Sequence, residues 1–185
     1  MSALTLQYVL LSIVAGLVLF ALLPPLIRTY RRYRGKRLVI CPETRQPVAV
    51  DVDATHAALG AMREPGWPHL RLTTCTRWPK RSDCGQECVT QIEEAPEDCL
   101  VPSIIATWYV DRSCVLCGRP LGEFHWYEHF PAALSPEGKS LEWTSLEPER
   151  IPEVLATHRP ICWNCHIVET FRREHPELVT DRPQR

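Results

Sequence analysis

Cys162-Trp-Asn-Cys165 runs straight into His166-Ile-Val-Glu-Thr-Phe-Arg-Arg-Glu-His175, and this stretch decides how the rest of the chain is read. Ile167, Val168 and Phe171 share one face at helical spacing, and Glu169 stands i,i+4 from Arg173. A helix over His166–His175 is predicted, stopped by Pro176. Two cysteines separated by two residues at a helix N-terminus turn both sulfurs toward one point, where the dipole and free N–H groups favour thiolates. A second such pair lies upstream, Cys114-Val-Leu-Cys117, followed by Gly118, which tolerates the positive φ that turns amides onto sulfur. Structural zinc takes four ligands, with bonds of about 2.3 Å to thiolate. The predicted metal ligands are therefore Cys114, Cys117, Cys162 and Cys165.

The order of elements adds to this: a knuckle, then a hairpin, then a pair that opens a helix. Over Ser113–His175 the chain resembles the treble-clef group of zinc fingers, and the resemblance carries over onto those four cysteines alone. It implies an architecture and a metal rather than an activity. The 44 residues between the pairs are long for a compact finger, so an insertion must fold in. A rival reading uses Cys162-Trp-Asn-Cys165-His166 as a C-x-x-C-H haem c attachment, with Cys162 and Cys165 bonded to the vinyl groups and His166 as axial ligand. That reading needs the outer side of a membrane and leaves Cys114 and Cys117 without a task.

The N-terminus fixes the expected side. Tyr8–Ile27 is twenty residues without a charge, roughly 30 Å as a helix, which matches a hydrocarbon core. No Lys or Arg precedes it, which argues against a cleaved secretory signal. Arg28, Arg31, Arg32, Arg34, Lys36 and Arg37 follow it as a basic collar. The positive-inside rule then puts the N-terminus outside and the domain in the cytoplasm. Pro24-Pro25 is expected to kink or end the helix. A reducing cytoplasm favours metal ligation over disulfides, and nine cysteines cannot all pair within one chain.

Between anchor and metal module the sequence reads as short elements. A hairpin of Arg37–Cys41 and Pro47–Val52 comes first, then an alanine-rich helix over Asp53–Met62 capped by Asp53. A strand at His69–Cys75 follows, with Leu70 and Leu72 on one face. Helices are expected over Asp83–Glu94, with Val89 and Ile92 inward, and over Leu100–Val110. Gly122–Ala133 and Ser140–Thr144 read as strands joined by Ser135-Pro-Glu-Gly-Lys139, and Pro152–Ala156 as a short helical turn. No internal repeat is detected. Cys84 and Cys88, at i,i+4 on the expected helix, would share a face. With Cys41 and Cys75 at strand ends they form a second candidate zinc site, in which Cys99 can stand in for Cys41. Four thiolates suit an iron–sulfur cluster equally well, and small buried side chains are the plain alternative. In Phe124–Phe130, His125, Tyr127 and His129 point one way on a strand and form a candidate contact surface.

The predicted class is thus α+β: a single transmembrane helix, then a small, loop-rich, zinc-stabilised domain. The boundaries are 1–37 for the anchor and collar, 38–112 for a Cys-rich subdomain, 113–176 for the treble-clef-like module and 177–185 for a disordered tail. Beyond the collar fifteen basic residues face twenty-two acidic ones, a charge that argues against nucleic acid as partner. No catalytic constellation, open metal position or small-molecule site is visible. The expected function is a membrane-anchored, cytoplasmic, zinc-binding interaction module, an accessory subunit to other membrane-complex proteins and not an enzyme. An electron-transfer subunit with haem c or an iron–sulfur cluster is the alternative.

Overall fold

A computed structural model describes residues 3–63, 69–78, 80–81, 83–122 and 131–178. The chain divides into two compact units, Met1–Leu100 and Val101–Arg185. The strip Phe124–Phe130, with His125, Tyr127 and His129, and the last seven residues of the tail lie outside the described part.

The first unit begins with helix α1, Ala3–Tyr33, whose segment Gln7–Tyr33 is long and apolar enough to cross a membrane. Its apolar side chains face outward: Leu17, Leu19 and Phe20 are all more than half exposed. Pro24 and Pro25 lie inside the helix, which corrects the expectation that they might end it. Proline φ is already near the helical value, so the pair removes two N–H donors without forcing the chain out of the helix.

Strands β1 (Lys36–Ile40) and β2 (Pro47–Val52) form the expected antiparallel hairpin, with Ile40 opposite Pro47 and Lys36 opposite Asp51. Strand β3 (Leu72–Cys75) pairs antiparallel with the far side of β2. Val39, Val48, Val50, Val52 and Leu72 bury one hydrophobic cluster with Tyr33 from the end of α1. Helix α2 (Ala54–Arg63) adds Ala54 and Ala57, and helix α3 (Val89–Glu94) adds Val89 and Ile92. Helix α3 is shorter than expected. Gln86 has φ of 58°, a left-handed backbone that breaks any helix from Asp83, so Cys84 and Cys88 do not share a helical face.

Asp53 caps α2 as expected, accepting from the His56 N–H at 2.9 Å and pairing with Arg71 at 3.0 Å. The His56 amide, then Arg71, hold its carboxyl below the usual aspartate range. A folded-state pKa below the unfolded one gives stability that is present above the unfolded value and lost as pH falls through the folded one. Asp53→Ala is expected to cost about 1 kcal/mol at neutral pH, as lost N-caps do. In denaturant unfolding followed from neutral pH into acid, that difference should shrink to nothing. A gap that persists in acid would show that the carboxylate is not the cap.

Arg37 departs from its sequence reading. The collar prediction places it at a membrane surface, yet it is fully buried. Its guanidinium donates to the carbonyls of Pro96 and Arg32, and it lies 5.8 Å from the Tyr33 ring centre. Burial pushes its pKa down, and the negative charges of Cys99 and Glu97 oppose that. It clamps the end of α1 to the loop before Leu100, and five basic residues remain for the collar.

The second unit opens with helix α4 (Val101–Tyr109), which packs on residues 143–155. Trp108, Tyr109 and Trp143 meet edge to face, with ring centres 4.9–6.2 Å apart. Trp143 Nε1 donates to the Tyr109 hydroxyl at 2.9 Å, and Trp108 Nε1 to the Leu155 carbonyl at 3.1 Å. A second antiparallel sheet has the order β5-β4-β6, from β4 (Ala132–Leu134), β5 (Ser140–Leu141) and β6 (Arg159–Ile161). Helix α5 (Ile151–Thr157) buries Ile151 and Val154, and helix α6 spans Trp163–Glu174. Strand β6 has no sequence signature, because Pro160 masks it. It is held through Ala133, which sits opposite both Leu141 and Pro160. On α6 the ion pair is Glu169 with Arg172 at 3.2 Å rather than with Arg173. Both spacings put the two side chains on one face.

Candidate metal centre

Four sulfurs converge in the second unit. The turn Cys114–Arg119 is closed by two backbone hydrogen bonds, Cys114 N–H to the Arg119 carbonyl and Gly118 N–H to the Cys114 carbonyl, both 2.8 Å. Gly118 has φ of 71°, the left-handed turn for which glycine is suited. Ser113 and Pro120 bridge across the base of this knuckle. The Val115 N–H donates to the Pro160 carbonyl at 3.1 Å, which ties the knuckle to β6. Cys162 follows β6 at once, and its extended backbone (φ −75°, ψ 160°) makes it the N-cap of α6. Cys165 then falls in the first helical turn. The separation of 44 residues is closed by this Val115–Pro160 bond rather than by any local signal.

The ligand atoms of Cys114, Cys117, Cys162 and Cys165 all lie within 4.8 Å of one another. Among the described residues they are the only group of three or more His, Cys, Asp or Glu side chains so placed. A tetrahedral ion with bonds of about 2.3 Å spaces its sulfurs by roughly 3.8 Å. The Cys117 and Cys162 sulfurs are 3.7 Å apart, so the donor set fits a metal ion such as zinc. Cys114 and Cys162 are buried, Cys165 is half-buried and Cys117 is exposed. Burial raises the Cys114 thiol, but the amides of Cys162, Cys117 and Leu116 outweigh it and bring the value to about 6. Burial, then the neighbouring sulfurs, push Cys165 well above the ordinary thiol range. A cation at the centre would supply the positive charge that lets all four ionise together.

His166 is buried, and its Nε2 lies 2.9 Å from Glu142 Oε1. Its Nδ1 has no hydrogen-bond partner among the described residues. The imidazole nitrogen that the haem reading would use is thus committed to a carboxylate, and Cys162 and Cys165 face Cys114 and Cys117. This Glu142–His166 pair carries no sequence signal, since 24 residues separate its members.

The second predicted set lies in the first unit. Cys41, Cys75, Cys84 and Cys88 line one cavity of about 120 Å³, together with Glu43, Trp78, Arg77 and Arg81. Cys99 is not in its lining and instead has its sulfur 3.6 Å from the Gln91 carbonyl. Arg77 Nη1 donates to the Cys41 sulfur at 2.7 Å and to Glu43 at 3.2 Å, and Arg81 also pairs with Glu43. Hydrogen bonds from Thr44, opposed by burial and helped by Glu43 and Arg77, bring Cys41 down to about 7. Burial raises Cys88 to about 11, with negative charge on Cys84, Cys75 and Cys41 adding to it. Sequence reading missed Arg77, which stands two residues after a cysteine and has no pattern to mark it.

Comparison with protein-family models, with curated proteins and with solved structures finds no match for this chain. What supports a function is therefore the apolar N-terminal helix and the four-cysteine cluster, which fits a zinc-finger-like site.

Proposed function

We propose that this protein is a membrane-anchored, cytoplasmic interaction module, whose second unit is a treble-clef-like domain held together by zinc. The observation that carries the reading is the convergence of four thiols whose spacing suits one tetrahedral ion. Four thiolates close the coordination sphere, so the ion would act structurally, with no position left to activate water. The knuckle, the short sheet and a helix opened by a ligand are the parts a treble clef uses. Helix α1 supplies the anchor, and its basic collar sets the cytoplasmic side.

The role in interaction rests on α6. Ile167, Val168 and Phe171 are each nearly half exposed, although helical periodicity alone would turn them inward. Val115 and Leu116, at the tip of the knuckle, are exposed as well. Apolar side chains displayed on rigid, metal-braced elements suit a partner protein, here another subunit of a membrane complex. The acidic balance beyond the collar keeps the domain off an anionic leaflet.

Two measurements on protein purified from membranes test this reading. Elemental analysis should find zinc with a colourless spectrum, and a reporter fused after Arg185 should be cytoplasmic. A Soret band together with an external reporter would replace the reading by an electron-transfer subunit carrying haem c.

A further inference from the structure

The loop Cys41-Pro-Glu-Thr-Arg-Gln-Pro47 has the backbone of the metal knuckle Cys114-Val-Leu-Cys-Gly-Arg-Pro120. The Cys41 N–H donates to the Gln46 carbonyl at 2.9 Å, and the Arg45 N–H to the Cys41 carbonyl at 2.7 Å. These are the same two bonds, at the same offsets, that close Cys114–Arg119. Arg45 has φ of 56°, the left-handed conformation that Gly118 adopts at the matching position. A non-glycine residue rarely takes this conformation without a local reason. Ile40 pairs with Pro47 across the base, as Ser113 does with Pro120. At the fourth position, where the first knuckle has its second thiol, this loop has Thr44.

This knuckle lacks one ligand, and the cavity beside it contains three more cysteines. We propose that Cys41, Cys75, Cys84 and Cys88 form a second centre for a single thiophilic divalent cation of the zinc class. Cys75 comes from the end of β3, and Cys84 and Cys88 come from the turn that enters α3. Binding would release one proton from each thiol that is still protonated. Four thiolates around a divalent ion carry two net negative charges; the cavity is also lined by Arg77, Arg81, Glu43, Asp83 and Glu87, and Arg77 is the cation that reaches a ligand sulfur, 2.7 Å from Cys41. Arg77, which now covers the Cys41 sulfur, has Glu43 within reach as its alternative partner. The four sulfurs border the cavity without the close convergence of the first centre, so the site closes on its ion and holds it less tightly. Cys99 takes no part.

Cobalt(II) titration of the reduced full chain in detergent tests this, because tetrahedral cobalt thiolate absorbs in the visible. Two equivalents should bind in two steps. Cys117→Ser should abolish the tighter step and leave the weaker one, Cys75→Ser or Cys84→Ser should do the reverse, and Cys99→Ser should keep both. In case a variant folds poorly, alkylation mapping of the unmodified chain gives an independent readout. Metal should protect Cys41, Cys75, Cys84 and Cys88, leaving Cys99 to react. A single equivalent that protects only Cys114, Cys117, Cys162 and Cys165 would overturn the second centre and leave the first intact. One equivalent protecting only the Cys41 set would support it while removing the basis of the proposed function. Iron and acid-labile sulfide in the purified chain, bound through the Cys41 set, would also overturn it.

Discussion

Cys117→Ser should unload the metal from the second unit and unfold it, although the residue replaced is the exposed member of the four. Substitutions at exposed positions away from special features usually change stability by no more than about 0.5 kcal/mol. A thiol with only water to contact would follow that rule. Metal binding in small structural sites is instead part of the folding free energy, on the order of 10 kcal/mol, and losing one of four thiolates forfeits a large part of it. Around the site itself there is little else to fall back on, the larger buried side chains of the unit lying on α4 and α5. The core around the site is Cys114, Ala132, Leu134, Ile161 and Cys162, mostly small side chains supported by strands of two and three residues. Bound metal and thermal unfolding of the variant should both collapse, and a strong chelator should do the same to the unaltered protein. Full metal content with an unchanged midpoint would refute the assignment of Cys117 as a ligand.

The second large effect is expected at Arg37→Met. Methionine fills much of the same space but leaves the buried Pro96 carbonyl and the part-buried Arg32 carbonyl without donors. An unsatisfied buried acceptor costs roughly 1–3 kcal/mol, so a loss of about 3 kcal/mol is expected for the pair. The loss is not larger because burying the guanidinium is itself costly, and its Nε has no partner among the described residues. Arg34→Met is the control, since Arg34 is exposed in the same basic run. Denaturant unfolding of the full chain in detergent should separate the two variants by several-fold in midpoint shift. Equal shifts would mean that Arg37 is one more collar residue and not a clamp.

How much of this was legible beforehand follows from the range of each interaction. The hairpin at Pro47, the Asp53 cap and the buried pair Val89 and Ile92 are local patterns, and the structure reproduces them. The expected Asp83–Glu94 helix is cut to Val89–Glu94 because Gln86 adopts a left-handed backbone that its residue type does not announce. The likeness of the two knuckles is hidden in the sequence for a related reason. Their likeness is in backbone bonds and φ, while their sequences share only a cysteine and a proline at matching positions.

By itself the sequence determined the apolar segment of α1, the two Cys-x-x-Cys pairs and the helix that Cys162 opens. Each is set by spacing within a few residues, where helical pitch and side-chain reach leave few alternatives. Only the tertiary structure decided how the two pairs meet, with the Val115 N–H bonded to the Pro160 carbonyl of β6. It also decided that Arg37 leaves the collar for the interior, and that Cys41 rather than Cys99 joins the cavity with Cys75, Cys84 and Cys88. Those outcomes depend on which surfaces pack together over tens of residues. Packing is selected by the sum of many weak contacts, and no single stretch of sequence encodes that sum.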